Sequence, residues 1–144
     1  MDPKLDRLCG VISFVAPFVV YAMTSAPGPT WLDTSELTAV GFVLGSAHPP
    51  GHPLFVLLTK LLMLVPLGPL GARAVVLSCL CGALACHLLF RIVTRLGRDL
   101  DTRGPSWLPP VSGLLSAFLM AFGPALWFQS VRVEVYALQV VVSL

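Results

Sequence analysis

The chain has 144 residues, of which 56% are hydrophobic and only 11% carry a formal charge. Soluble domains have about 25% charged residues, so this composition, with a mean hydropathy of +0.88, argues against a soluble globular domain and indicates an integral membrane protein. The net charge of only +2 excludes intrinsic disorder and a strongly basic nucleic-acid-binding protein. We therefore expect membrane lipid, and no nucleic acid, among its partners.

Long stretches without Lys, Arg, Asp or Glu predict the membrane-spanning helices, because about 20 apolar residues cross a bilayer. The predicted spans cover residues 8–23, 74–90 and 107–128, and a further span begins at about residue 137. The predicted fold class is an all-α integral membrane bundle with three to four transmembrane helices and an external juxtamembrane helix. Since the last apolar run has only begun at residue 144, we expect residues 1–144 to be the N-terminal portion of a larger membrane domain.

The first span sets the orientation of the chain. Lys4 and Arg7 precede it, so the positive-inside rule predicts a cytoplasmic N-terminus. Residues 24–72 then form an external loop, in which residues 34–44 predict a short amphipathic helix. The expected location is a multi-pass position in a bacterial inner membrane, or in the endoplasmic reticulum membrane if the source is eukaryotic.

The apolar segment 54–65 decides how the remaining loops are placed. As a helix it would be about 18 Å long, whereas the hydrocarbon core is about 30 Å thick. We therefore predict a juxtamembrane helix at the interface, with Lys60 reaching towards water. The arginines within 91–103 then face the cytoplasm, and Asp33 and Glu134 share the outer surface. If the segment spanned the membrane instead, these two carboxylates would lie on opposite faces.

Four cysteines, Cys9, Cys79, Cys81 and Cys86, lie in apolar runs. None of them has the C-x-x-C spacing of a redox or metal motif. We predict buried free thiols that pack as small apolar side chains.

Asp33 and Glu36 are the candidate catalytic residues. A carboxylate pair at a membrane surface can accept the proton of an acceptor hydroxyl. The alternative is structural, because an acidic residue followed three positions later by Glu, before an apolar helix, is typical of a capping box.

His48 and His52 flank a Pro-Pro-Gly turn and are candidate substrate-binding residues, since their imidazoles and the turn could meet a phosphate or a sugar. A metal site made of both histidines and a carboxylate is a further alternative, but we assign no metal ligands. In the structural alternative the prolines only set the angle at which the next helix begins.

Arg73, Arg132, Glu134 and Tyr136 lie at predicted membrane boundaries and complete the candidate substrate-binding set. Each arginine either anchors a helix at the interface or binds the phosphate of a lipid donor, because a guanidinium group suits bidentate phosphate contact. Ionisable groups near a membrane-embedded helix end are functional candidates in general.

Several of these motifs together resemble a known family of multispanning membrane proteins. Ala26–Gly28, Asp33–Leu37 and Leu44–Phe55 match its first motif in order, and Arg132–Leu138 resembles its second motif. The family includes bacterial proteins and the metazoan transmembrane O-mannosyltransferase that modifies plexin-type receptors. It is identified as a member of the GT-C glycosyltransferases, so the resemblance implies a GT-C-like bundle of which this chain is the N-terminal part.

The resemblance implies transfer of a sugar, mannose being one candidate, from a polyprenyl-phosphate carrier to a protein or glycan hydroxyl on the non-cytoplasmic face. Asp33 would be the base of a single inverting displacement, with Glu36 beside it. The charge of the leaving phosphate would be eased by Arg132, Arg73 or His48. No tightly bound cofactor is expected, and a dependence on divalent metal stays open.

Two other interpretations stay open. The chain could belong to a non-catalytic membrane transporter or assembly subunit, in which Asp33 matters only for helix capping. It could also be a truncated fragment that is inactive by itself.

Overall fold

Helices form all the regular secondary structure of the described residues in the computed structural model, which are residues 3–26, 28, 33–100 and 104–144. This confirms the predicted all-α class. Within those ranges α1 and α4 are long and apolar enough to cross a membrane, and α5 with α6 makes a third span if the bent pair is taken as one. The helices are α1 (Pro3–Thr24), α2 (Thr34–Val43), α3 (Pro53–Met63), α4 (Leu70–Leu100), α5 (Leu108–Phe122), α6 (Pro124–Ser130) and α7 (Tyr136–Ser143).

The central element is α4, which contacts each of the other six helices. Its 31 residues give it a length of about 46 Å. It is longer than the predicted span 74–90, and Arg91, Arg95 and Arg98 lie on the helix itself rather than in a loop. Arginine and leucine favour helix over coil, so the helix continues as the sequence becomes polar.

Small residues allow neighbouring helices to approach α4 closely. A Cβ atom added at Gly82 would lie 2.8 Å from the Cβ of Ser130 on α6, and one added at Gly113 on α5 would lie 2.8 Å from the Phe90 carbonyl oxygen. Such contacts are typical of helix packing in membranes, where small residues let backbones meet. The four cysteines are buried and free, as predicted, and belong to this packing: Cys9, Cys79, Cys81 and Cys86.

The segment predicted as one span, 107–128, is divided into α5 and α6, whose axes differ by 65°. The break lies at Gly123, which has the extended angles φ −69° and ψ 142°. Pro124 follows it as the first residue of α6. Proline disfavours helical geometry in the residue before it and has no N–H to donate, which explains the position of the bend.

The two predicted external helices are present as α2 and α3, and they pack side by side. A Cβ at Gly41 would lie 2.7 Å from Thr59 Cγ2, and Lys60 Nζ donates to the Phe42 carbonyl oxygen. The α2 helix is not amphipathic in the predicted sense, because Gly41 and the threonines of its buried face are small while Phe42 is exposed. Leu37 is the large apolar residue of the buried face. The small residues beside it allow α3 to approach closely, while Phe42 and Val43 are exposed.

Candidate functional site

Two segments far apart in the sequence meet at one cavity of about 180 Å³. Asp33, His48 and His52 line it from the first motif, and Glu134 and Tyr136 line it from the second. Five of the predicted site residues therefore share one cavity. The first motif contributes an exposed carboxylate and imidazoles, and the second contributes a buried carboxylate and a phenol.

Hydrogen bonds to the turn 131–135 hold the two motifs together. Thr34 Oγ1, at the start of α2, donates to the Val133 carbonyl oxygen at 3.4 Å. Ser78 Oγ on α4 donates to the Glu134 carbonyl oxygen at 3.2 Å and lies 3.1 Å from the Glu134 amide nitrogen, from which it accepts. Both α2 and α4 are therefore hydrogen-bonded to the same turn. Because Asp33 directly precedes Thr34, these bonds keep Asp33 close to Glu134.

Glu36 binds His48 and does not form the capping box that was the structural alternative. The His48 amide donates to Glu36 Oε1 at 2.7 Å, and His48 Nδ1 lies 3.0 Å from Glu36 Oε2. Asp33 precedes α2 without a side-chain capping hydrogen bond. The capping signature fails here because the loop after α2 returns and offers Glu36 two better donors.

The contact between Glu36 and His48 shifts the pKa values of the two side chains in opposite directions. The hydrogen bond from His48 lowers the pKa of Glu36. In turn, the hydrogen bond to Glu36, helped by the negative charge of the nearby carboxylates, raises the pKa of His48. His48 Nε2 lies 4.0 Å from Asp33 Oδ2. The His48 ring thus lies between the two carboxylates that the sequence pattern identified.

Glu134 forms a buried ion pair with Arg132. Their side chains come within 3.3 Å, and the residues are only 2% and 7% exposed. Arg132 Nη2 also donates to Gln129 Oε1 at 2.9 Å, and the guanidinium group lies 4.1 Å from the centre of the Phe128 ring. Burial raises the pKa of Glu134, and the charge of Arg132 partly offsets the effect.

Arg132 keeps unused donor capacity. Its Nε and Nη1 atoms are buried and have no hydrogen-bond partner among the described residues. An unpaired buried donor costs free energy, so both atoms retain donor capacity although they are shielded from solvent.

Arg73 does not line the cavity. Its Nε donates to the carbonyl oxygens of Leu67 and Gly68 at 3.2 and 2.9 Å, and its Nη1 donates to that of Met63 at 3.1 Å. These carbonyls lie at and beyond the C-terminal end of α3, whereas His52 lies at its N-terminal end. Arg73 therefore contacts the far end of α3, which favours the anchoring alternative, and its role in phosphate binding stays an untested prediction.

His52 owes its position to the backbone. It has the left-handed angles φ 45° and ψ 51° immediately before Pro53 at the start of α3, and its ring meets that of His48 edge-to-face with centroids 5.7 Å apart. Sequence reasoning missed Gln139, which also lines the cavity. Its place one helical turn after Tyr136 could have identified it, because residues three apart share a helix face.

A divalent cation could be held by Asp33, Glu36 and His48, each of which offers a ligand atom within 4.8 Å of the others. This set differs from the two-histidine arrangement considered from the sequence, since the second carboxylate takes the place of His52. Carboxylate and imidazole ligands suit ions such as Zn²⁺ and Mn²⁺. Binding would replace the hydrogen bond between Glu36 and His48.

Comparisons with known proteins match the same part of the chain. Residues 33–143 match the profile described as the protein O-mannosyl-transferase TMEM260 N-terminal domain. The protein O-mannosyl-transferase TMEM260 of Mus musculus is 36% identical over 127 residues, which are 88% of this chain and 16% of the relative. The protein of the same name from Dictyostelium discoideum is 29% identical over 138 residues, or 94% of this chain and 16% of the relative.

No solved structure is significantly similar to the chain. The chain spans about one sixth of the length of these curated relatives, which are eukaryotic proteins. The bacterial members and the GT-C assignment suggested by the motifs stay predictions. The profile match includes both motifs that meet at the cavity. Because this match covers most of its residues, the chain belongs to the TMEM260 N-terminal-domain family of protein O-mannosyl-transferases.

Proposed function

We propose that this chain forms the acid–base part of the active site in a membrane O-mannosyltransferase, with the cavity between the two motifs as the place of reaction. The observation that carries the proposal is the meeting of Asp33, His48 and Glu134 at one cavity. Relatives that cover most of this chain are named for O-mannosyl transfer. The acceptor in this proposal is a protein hydroxyl.

Asp33 is the proposed base. Its side chain is 53% exposed, so an acceptor hydroxyl can reach it from the water side of the membrane. As the hydroxyl oxygen forms a bond to the anomeric carbon, its proton passes to Asp33. The bond from that carbon to the leaving oxygen breaks in the same step, and its electron pair remains on the leaving group. The anomeric configuration is therefore inverted.

The proposed donor is mannose on a polyprenyl phosphate, whose departing phosphate gains negative charge as the bond breaks. Two cationic groups near the cavity suit this charge. The contact with Glu36 raises the pKa of His48 and so favours its cationic form, and Arg132 has two buried donor atoms without partners among the described residues. Fixed donors close to a developing charge stabilise the transition state. Arg73 has no part in this step because three backbone carbonyls hold it.

Glu134 is the second candidate base, since it lines the cavity and burial raises its pKa. Its ion pair with Arg132 and its burial make a positioning role the better assignment, because an acceptor hydroxyl reaches a carboxylate that is 2% exposed less readily than it reaches Asp33. The non-catalytic interpretation, a transporter or assembly subunit, predicts no carboxylate-dependent transfer at all.

The test is sugar transfer from a radiolabelled polyprenyl-phosphate mannose donor, using the complete protein in membranes. We expect Asp33→Asn to remove most of the transfer without changing folding, since Asp33 makes no side-chain cap bond and Asn suits this position as well as Asp does. Asp99→Asn is the matched control, because Asp99 is an exposed carboxylate near the far end of α4. Unchanged transfer by Asp33→Asn would refute the base assignment, and loss with Glu134→Gln alone would move the base to Glu134. If the inserted wild-type protein transfers nothing, the non-catalytic interpretation is favoured.

A further inference from the structure

A second and larger cavity, of about 640 Å³, lies between α1 and α4. Arg7, Arg91, Arg95 and Arg98 line it together with His87 and Thr94. Asp6 is the one carboxylate in its lining, so the cavity carries an excess of three positive charges. Nothing in the proposed transfer reaction uses these groups.

This basic cavity lies at the opposite end of the bundle from the candidate site. Ser78 on α4 lies at the same height along the bundle as that site, because its hydroxyl is hydrogen-bonded to the Glu134 backbone. Arg91 and Arg98 follow Ser78 on the same helix, α4, by about 20 and 30 Å. The hydrocarbon core of a bilayer is about 30 Å thick. The arginines therefore belong at the other membrane interface, the one that the positive-inside rule predicts to be cytoplasmic.

The arginines are available for an external anion. Arg98 pairs with Asp6 at 2.8 Å, and within the described residues no carboxylate pairs with the other three arginines of the cavity. Arg91 and Arg95 are one helical turn apart, and both are exposed. Two guanidinium groups one helical turn apart can both donate hydrogen bonds to the same phosphate group.

An apolar surface continues from the basic cavity along α1. Val11, Phe14 and Val15 line the cavity. Leu8, Val11, Val15 and Val19 are all about half exposed, and their spacing of three or four residues puts them on one helix face. A ligand here would meet positive charge at one end and an apolar track directed towards the membrane centre at the other.

We infer that the basic cavity between α1 and α4 binds an anionic glycerophospholipid, with the phosphate at Arg91 and Arg95 and an acyl chain along Val11 and Val15. Charge complementarity selects an anionic headgroup, and the apolar track selects a lipid over a soluble anion. Basic pockets between transmembrane helices bind anionic headgroups in this way, and the cytoplasmic leaflet is rich in such lipids.

The test titrates the complete purified protein in detergent with phosphatidylserine, with phosphatidylcholine of the same acyl chains, and with inorganic phosphate. Native mass spectrometry counts the bound molecules. We expect phosphatidylserine to bind about tenfold more tightly than phosphatidylcholine. Each positive charge near the headgroup strengthens binding several-fold, so Arg91→Gln with Arg95→Gln should weaken phosphatidylserine binding on the order of thirtyfold.

Two further variants separate charge from shape. Lys4→Gln removes one positive charge at the same membrane face from a residue that does not line the cavity, and it should leave binding unchanged. Val15→Trp fills the apolar track without changing charge, and it should weaken lipid binding. If the double arginine variant does not fold, Arg95→Gln alone is measured in its place.

Three results would overturn the inference. They are equal affinity for the two lipids, unchanged binding by the arginine variants, and displacement of the lipid by equimolar inorganic phosphate, which would indicate a site for free anions. None of these measurements involves sugar transfer. A result that overturns the lipid-binding inference is therefore distinguishable from a result that overturns the proposed enzymatic function.

Discussion

Gly82→Ala tests whether the close contact between α4 and α6 positions the second motif. The added Cβ would lie 2.8 Å from the Ser130 Cβ and 3.0 Å from Tyr21 Cε2, so α6 has to move. Overpacking of this kind costs about 1–3 kcal/mol, whereas alanine is favoured over glycine in a helix by about 1 kcal/mol. We expect a net loss of up to about 2 kcal/mol in the free energy of unfolding. Because Ser130 directly precedes the turn 131–135, sugar transfer by the complete protein should fall as well.

The same change elsewhere on α4 provides the control. A Cβ at Gly97 would meet its nearest atom, Pro109 Cβ, at 3.4 Å, an ordinary contact, so Gly97→Ala should be neutral or stabilising by up to about 1 kcal/mol. Combining Gly82→Ala with Ser130→Gly removes the clash and should recover most of the loss. Stability is measured by thermal unfolding of the purified protein in detergent. If Gly82→Ala and Gly97→Ala unfold alike, the packing argument is wrong.

Three further predictions concern the ionic contacts. Glu36→Gln should move the NMR titration of His48 down towards its usual value of 6.5, and an unmoved titration would contradict the contact. In the wild type, the contact between Glu36 and His48 should stabilise the fold most between about pH 4.5 and 6.5. The stabilisation should weaken as His48 deprotonates above its raised pKa and as Glu36 protonates below its lowered pKa. Arg132→Met leaves the buried Glu134 unpaired and should lower the free energy of unfolding by about 3–5 kcal/mol, while adding Glu134→Leu should restore part of it in the same unfolding assay. Arg73→Gln should leave the KM for the lipid-linked donor unchanged, since its guanidinium group is occupied by carbonyls of the α3 end; a raised KM would return Arg73 to the phosphate site.

The pairing of Glu36 shows the limit of local sequence patterns. Asp33 and Glu36 have the spacing of a capping box, and that spacing carries no information about where the chain goes after α2. The loop after α2 brings His48 back, and His48 supplies both an amide and an imidazole donor. This return of the chain replaces the capping-box contact of Glu36 by the contact with His48, and a catalytic role for Glu36 stays a prediction.

Arg73 and Arg132 illustrate the same point with one residue type. Both stand at predicted membrane boundaries, and both were candidates for phosphate binding. Arg73 meets the carbonyl end of α3, whereas Arg132 meets a buried carboxylate at the cavity. The partner of each arginine therefore depends on how the helices pack, and the residue type does not reveal it.

From the residues alone we predict the all-α membrane class, a short helix at α3 and the buried state of the cysteines. These follow from hydropathy and segment length, because a bilayer requires every backbone polar group to be satisfied within its own segment. The structure was needed to show that α5 and α6 bend by 65°, that α4 remains helical through its arginines, and that Asp33 and Glu134 share one cavity. The bend and the length of α4 have local causes to which the span prediction gave too little weight, namely Gly123–Pro124 and the helix propensity of arginine and leucine. The shared cavity depends on contacts of α2 and α4 with the turn 131–135, and contacts between segments so far apart leave no periodic signal in the local sequence.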